Sequence, residues 1–386
     1  MLIKRYLEPQ LQKALKSKLY PAIILFGPRQ VGKTTLIKEI IAKTKLKYKF
    51  ITCDDPDVIR TFKDIGIVGL KRIIGDNKLL VLDEAQKIEN IGQILKLIID
   101  NIPNVKLLVS GSSSFELANK LSEPLTGRKI TFLMYPIAIF ELNKKDEMIE
   151  IKSNLDRYLR FGMYPKIFQF KDDIELQNYL TELSGDYLYK DILDFQQIKN
   201  NEQMRRLLVS LALQIGQEVS YTELSNSVGV DQKTVMRYVD LLEKSFIVFK
   251  LPAFSRNQRN EINKSRKIYF YDLGIRNAII NNFNNLELRN DIGQLWENFL
   301  ILERIKRDKS DKIKKNYYFW RNYNQQEIDL IEEAGGQLNA FEFKWKNGKF
   351  KASDFLKTYQ NSKIEIINQN NFIDFLFTSP KISDKK

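Results

Sequence analysis

The sequence predicts an α/β fold spread over more than one compact unit, and three local patterns carry that reading. An apolar β-like run, Ala22-Ile-Ile-Leu-Phe26, passes through a glycine-bearing loop into the helix-like Leu36-Ile-Lys-Glu-Ile-Ile-Ala. A second apolar run, Lys78-Leu-Leu-Val-Leu82, ends in Asp83-Glu84. Far downstream, a helix-like stretch over 292–303 is followed by strand-like segments that include Glu327-Ile-Asp329-Leu-Ile331 and Asn339-Ala-Phe-Glu342-Phe-Lys344-Trp345.

Each element has a physical reason. The loop after the first strand reads Gly27-Pro28-Arg29-Gln30-Val31-Gly32-Lys33-Thr34-Thr35. This is a Walker A loop in its strand–loop–helix setting. Its glycines let backbone N–H groups turn towards phosphate oxygens, and the helix N-terminus adds its dipole. Lys33 supplies a charge to the β/γ-phosphates, and Thr34 offers a hydroxyl to Mg²⁺. All nine loop residues are expected to line ATP. Asp83, at the end of the second strand, is expected to hold Mg²⁺ through water, with Glu84 polarising the attacking water. A further strand candidate, Tyr48-Lys-Phe-Ile-Thr-Cys53, lies between the two motifs and ends in Asp54 and Asp55. An added strand and a glutamate beside the Walker B aspartate suit an AAA-type hydrolase better than a nucleoside kinase. Another apolar strand, Val105-Lys-Leu-Leu-Val109, ends in Ser110-Gly-Ser112-Ser-Ser. Its tip should reach the phosphates, so Ser110 and Ser112 are read either as γ-phosphate sensors or as polar caps.

Composition narrows the chemistry. The chain has 386 residues, enough for two or three domains. It is 43% hydrophobic and 28% charged, with 17 Gly and 10 Pro, which fits a folded protein. It has no histidine and one cysteine, which excludes His-based triads, His-ligated metals, Cys-cluster zinc and internal disulfides. The charge sum is 62 − 48 = +14. Residues 251–386 contribute 24 − 17 = +7 of it. The excess is read either as attraction to an anionic partner such as DNA or as an ordinary Lys-rich surface. With neither a signal-peptide core nor an apolar run of about 20 residues, the expectation is a cytoplasmic protein outside the membrane.

These motifs resemble those of AAA-type ATPases whose Walker A reads GPRQVGKTT, whose Walker B reads LDEAQ, and which carry SGSSS and then Leu-x-Gly-Arg. The last is Leu125-Thr-Gly127-Arg128 here, followed by Tyr135-Pro-Ile-Ala-Ile-Phe-Glu141. The resemblance implies that Arg128 contacts the γ-phosphate, in cis or from a neighbouring subunit of an oligomer; the alternative is an arginine that caps a turn. Tyr158-Leu-Arg-Phe-Gly162-Met-Tyr-Pro165 matches a further signature of the family, with Met163 where the family has a second glycine.

In the middle of the chain, helices are expected over 204–215, 221–228 and 232–244, with Gly229 in the turn and Asp231 capping the third. Runs at 245–251 and 267–271 would make a two-stranded wing. Together they read as a winged helix-turn-helix. Its duplex-facing cations would be Lys233 and Arg237 beside Gln232, with Arg256, Arg259, Lys264, Arg266 and Lys267 between the wing strands.

In the last segment, alternation places Phe341, Phe343 and Trp345 on one strand face and Glu342 and Lys344 on the other. Asp329, Glu342 and Lys344 with the helical Glu297 match the Asp–(Asp/Glu)-x-Lys pattern of restriction-endonuclease-like domains, a part that the resembling family carries at its C-terminus. The expectation is catalysis by Asp329, Glu342 and Lys344, with Glu297, Asp329 and Glu342 holding Mg²⁺. The predicted architecture is therefore an AAA-type P-loop ATPase domain over 1–150, a helical linker and winged helix-turn-helix over 151–275, and a restriction-endonuclease-like α/β domain over 276–386. The expected function is Mg²⁺-dependent ATP hydrolysis coupled to DNA binding or cleavage, the alternative being a nucleotide-switched DNA- or protein-binding regulator with an inert nuclease-like domain.

Overall fold

A computed structural model describes residues 3–112, 125–142, 148–187, 201–255, 266–348, 350 and 353–377. The chain separates into two units, residues 1–137 with 244–246 and residues 138–243 with 247–386.

The first unit is organised by a five-stranded parallel sheet. Its strands are β1 (Ala22–Phe26), β2 (Tyr48–Thr52), β3 (Leu79–Asp83), β4 (Lys106–Gly111) and β5 (Lys129–Leu133). Their spatial order is β2-β3-β4-β1-β5. Every residue of β1 and β3 is buried, as expected of central strands covered on both faces. The register sets Phe26 beside Gly111, and Leu82 beside Val109. The carboxyl ends of β1, β3 and β4 therefore come level at one edge of the sheet, where α/β folds place ligands. The helix Leu7–Lys16 opens the described chain, and the buried Arg5 just before it donates to Val31 O (2.8 Å) and Tyr135 O (2.6 Å).

The second unit holds two sheets. It has helices Asn201–Leu213, Tyr221–Val228 and Gln232–Lys244 and a three-stranded sheet ordered β6-β8-β7, with β6 at Glu218–Val219, β7 at Val248–Pro252 and β8 at Arg266–Phe270. The helix after Asp231 begins where the sequence places it, because that carboxylate accepts from Thr234 N (3.0 Å). The other sheet runs β12-β11-β10-β9, with β9 at Asn316–Arg321, β10 at Glu327–Ala334, β11 at Gln337–Phe343 and β12 at Ser362–Ile367. β10 is antiparallel to both neighbours, while β11 and β12 are parallel. A core of Phe254, Trp320, Ile328, Ile331, Leu338, Ala340, Phe355 and Tyr359 packs against it.

The boundary expected near 275 is bridged inside this unit by main-chain and side-chain bonds. Asn298, on the helix Ile292–Ser310, both accepts from Phe270 N (2.7 Å) and donates to Phe270 O (2.9 Å). Phe254 N donates to Phe319 O at 2.7 Å. Main-chain groups of Phe270 on β8 and of Phe254 after β7 are thereby satisfied by elements of the following segment.

Candidate functional site

The first candidate centre lies at the carboxyl edge of the parallel sheet. Gly27 (φ +154°) and Gly32 (φ +94°) take conformations that favour glycine, and a Cβ on Gly27 would stand 2.2 Å from Met134 O. The loop is thereby pressed against the chain beyond β5, and Arg5 ties Val31 of the loop to Tyr135 in that same stretch. Lys33 is buried, and its ammonium donates to Gly27 O and Pro28 O at 2.9 Å, with a Glu84 carboxylate oxygen 3.9 Å away. Thr34 Oγ1 donates to Asp83 Oδ2 at 2.7 Å.

Asp83 and Glu84 are tied to β4. Ser110 Oγ donates to Asp83 Oδ1 and accepts from Glu84 N at 3.2 Å. Glu84 itself has φ +54°, a strained backbone state for a residue with a side chain. Gln86 Nε2 donates to Glu84 Oε2 (2.6 Å) and to Ser112 Oγ (2.9 Å), so it fixes the orientation of the Glu84 carboxylate. Burial and the charge of Glu84 push Asp54 upwards, and burial followed by the Asp83 charge pushes the Cys53 thiol up to about 12. That thiol is no nucleophile at neutral pH. The hard oxygen donors of Thr34 and Asp83, already within hydrogen-bond reach of each other beside a loop of turned-in backbone, fit Mg²⁺ and a nucleotide phosphate.

Arg128 lies elsewhere. It precedes β5, whose first residue pairs with Ala22 at the amino end of β1, and its guanidinium pairs with Asp100. With strands rising about 3.3 Å per residue, the length of β1 separates it from the phosphate edge. A contact with a nucleotide held by the same loop is incompatible with that placement, because Arg128 and the loop occupy opposite edges of one sheet. The reading through a neighbouring subunit is untouched by it.

The second candidate centre is in the other unit. Glu297, Asp329 and Glu342 do come near one another, together with Glu327, which sequence reasoning missed. Lys267, read from the sequence as a solvent-facing cation between wing strands, is instead 1% exposed and sits among these carboxylates. Its Nζ lies 2.5 Å from Glu327 Oε1, 2.9 Å from Glu297 Oε1 and 3.7 Å from Asp329 Oδ1. Tyr269 Oη donates to the same Glu297 oxygen. Asp329 Oδ2 accepts from Phe343 N at 2.8 Å, and Lys344 Nζ lies 2.5 Å from Glu342 Oε1. The remaining Glu342 oxygen is buried with no hydrogen-bond partner.

Electrostatics follow from this crowding. Burial and then the Asp329 charge raise Glu342 to about 8, while burial raises Glu297 to about 7 against the pull of Lys267. Burial would lower Lys267, but Glu297, Tyr269, Asp329 and Glu327 together carry it well above the ordinary lysine range. Among the described residues no group of three or more acidic or cysteine side chains is arranged to hold a metal ion. Of the three expected Mg²⁺ ligands, Glu297 and Asp329 are turned towards the Lys267 ammonium and Glu342 towards that of Lys344.

Of the other sequence candidates, Gln232, Lys233 and Arg237 are exposed on the third helix. The Arg266 guanidinium lies over the Tyr221 ring, 5.0 Å from its centre. Arg256, Arg259 and Lys264 lie outside the described residues. Among the described residues no helix is long and apolar enough to cross a membrane.

Comparison with known proteins adds three family matches. Residues 19–143 match the AAA domain, residues 152–286 a domain of unknown function (DUF8612), and residues 292–373 another (DUF4143). The chain is 28% identical over 329 residues to the uncharacterized protein Rv2008c of Mycobacterium tuberculosis, covering 84% of this chain and 70% of that one. It is 25% identical over 318 residues to the uncharacterized protein MJ1637 of Methanocaldococcus jannaschii, covering 71% and 65%. Among solved structures, the Walker-type ATPase PABY2304 of Pyrococcus abyssi matches with a TM-score of 0.50 and 16% identity, covering 72% of this chain and 96% of that one. Residues 19–143 are accordingly similar to the AAA domain, and the chain shares the fold of a Walker-type ATPase.

Proposed function

We propose that the chain hydrolyses ATP with Mg²⁺ as cofactor. The observation that carries this reading is the meeting of Lys33, Thr34, Asp83 and Glu84 at one sheet edge, with Ser110 bonded to both acidic residues. Lys33 and the loop N–H groups would bind the phosphates, and Thr34 with Asp83 would hold Mg²⁺, which neutralises phosphate charge. Glu84, aimed by Gln86, would orient and deprotonate the attacking water. Ser110 is placed to couple Asp83 to Glu84. Phosphate release that requires Mg²⁺ and disappears in Lys33→Ala tests the assignment; unchanged release in that variant would refute it.

We further infer that ATP turnover serves as a switch for binding duplex DNA. The support is a helix–strand–helix–helix–strand–strand order over residues 201–270, whose third helix exposes Gln232, Lys233 and Arg237, in a chain of net charge +14. The C-terminal sheet reads as a restriction-endonuclease-like scaffold, from Asp329 and the Glu342-x-Lys344 pair on neighbouring strands. The lysine-filled acidic centre favours a binding role over cleavage. Lys233→Ala with Arg237→Ala should weaken duplex binding across sequences and flatten its salt dependence; equal affinity and slope would leave that face to solvent.

A further inference from the structure

The acidic centre of the second unit gathers four carboxyl groups around two lysines. Among the described residues, Glu297, Glu327, Asp329 and Glu342 form ion pairs with Lys267 and Lys344, and Arg321 lies 3.8 Å from Glu327 at the rim. Burying carboxylates is costly unless each is paired. Lys267 reaches three of the four, and the Phe319 ring 5.5 Å away adds a further favourable face for its charge. It comes from β8, ahead of the helix and strands that supply the acids. Glycine at position 216 leaves room: a Cβ there would stand 3.1 Å from the free oxygen of Glu297.

We infer that Lys267 is the built-in cation of this centre, occupying the position that a divalent ion would take and closing the site to metal. The inference rests on the reading of the C-terminal segment as a nuclease-like scaffold. It explains why the donors do not fit Mg²⁺: Asp329 spends one oxygen on Phe343 N–H and turns the other to Lys267, while Glu297 gives one oxygen to both Lys267 and Tyr269. It also gives the lysine a consequence that an ordinary buried ion pair lacks, since removing it should create a metal site where none exists.

The test uses the full chain with Lys33→Ala in every sample and no nucleotide. Mn²⁺ binding is followed by electron paramagnetic resonance, and thermal melts are run with and without millimolar Mn²⁺. The Lys33→Ala protein should take up no Mn²⁺ that Glu342→Gln abolishes. Adding Lys267→Ala should create uptake of one Mn²⁺ per chain, abolished by Glu342→Gln, with a melting temperature several degrees higher in metal. Glu342-dependent uptake in the chain that keeps Lys267 would overturn the inference while leaving the nuclease-like reading intact. A folded Lys267→Ala variant that takes up no metal would overturn both. If Lys267→Ala fails to fold, Lys267→Met, of similar length and without charge, replaces it, and uptake in the chain that keeps Lys267 still decides.

Discussion

Thr34 and Asp83 stand 2.7 Å apart, hydroxyl to carboxylate, although they come from a helix start and a strand end that are not neighbours in the sheet. The second oxygen of Asp83 is taken by Ser110 from the strand between them. Asp83→Asn keeps the shape and removes the charge that would balance Mg²⁺. ATP affinity measured in Mg²⁺ should fall at least tenfold, while affinity in the presence of a chelator should change little. A loss of equal size in both conditions would mean that Asp83 shapes the loop and does not serve the cation.

Binding and water activation reside on different groups, so they should separate by mutation. Glu84→Gln should keep nucleotide binding and lose turnover by about 10²–10⁴-fold, the usual worth of a general base. Gln86→Ala leaves the carboxylate in place but frees it to rotate, so its kcat should fall less, with KM nearly unchanged. Steady-state phosphate release on the two variants checks the order. Equal rates in Glu84→Gln and the parent would assign the water to another residue.

Arg5 is buried and satisfies two carbonyls, Val31 O in the phosphate loop and Tyr135 O beyond β5. Arg5→Ala would strand those acceptors and remove the brace on the loop. The expected loss is about 3 kcal/mol of stability, from the cost of unpaired buried polar groups. Nucleotide affinity should fall with it. Chemical denaturation with and without ATP reads both quantities, and unaltered values in both would show that water replaces the guanidinium at no cost.

Asp272 gives a pH dependence of unusual sign. It caps the helix Leu273–Ile279 by accepting from Ile275 N (3.1 Å), and its other oxygen accepts from Met163 N (2.7 Å). Burial nevertheless pushes its pKa up from 3.8 to about 6, against the downward pull of those N–H groups. The folded chain therefore holds this proton more tightly than the unfolded chain does. Its contribution to stability is complete below the unfolded value and is lost as pH rises towards about 6, a fall of about 3 kcal/mol. Asp272→Asn should lower stability by removing one of two acceptors and should flatten this slope. Melts across that window, parent against variant, would contradict the assignment if the parent gained stability relative to the variant with rising pH.

The phosphate centre was legible because its chemistry is local. Gly27, Gly32, Lys33 and Thr34 fall within one strand–loop–helix turn, and Asp83-Glu84 announces itself at the end of an apolar run. Its supports were less so. Arg5 works through distant partners, and Gln86, although two residues from Glu84, is fixed by Ser112 just after β4; the only signal for it was its place in the LDEAQ run. Lys267 was misread for a stronger reason. On a strand flanked by Arg266 and aromatic residues it looks like a surface cation, and only tertiary pairing with Glu297 and Glu327 makes burial tolerable. Arg128 shows the reverse limit, since a residue's motif says nothing of which edge of the sheet it occupies.

The origin of the Lys267 ammonium bears on how the protein can be cut for study. A fragment starting near Ile292 would follow the family boundary and retain Glu297, Glu327, Asp329 and Glu342, yet leave behind the cation that balances them. Such a fragment would expose a patch of self-repelling carboxylates and lose the Asn298 pairing with Phe270. It would report divalent-ion affinity and poor solubility that belong to the excision. A dissection that begins at residue 138 keeps donor and acceptors in one polypeptide.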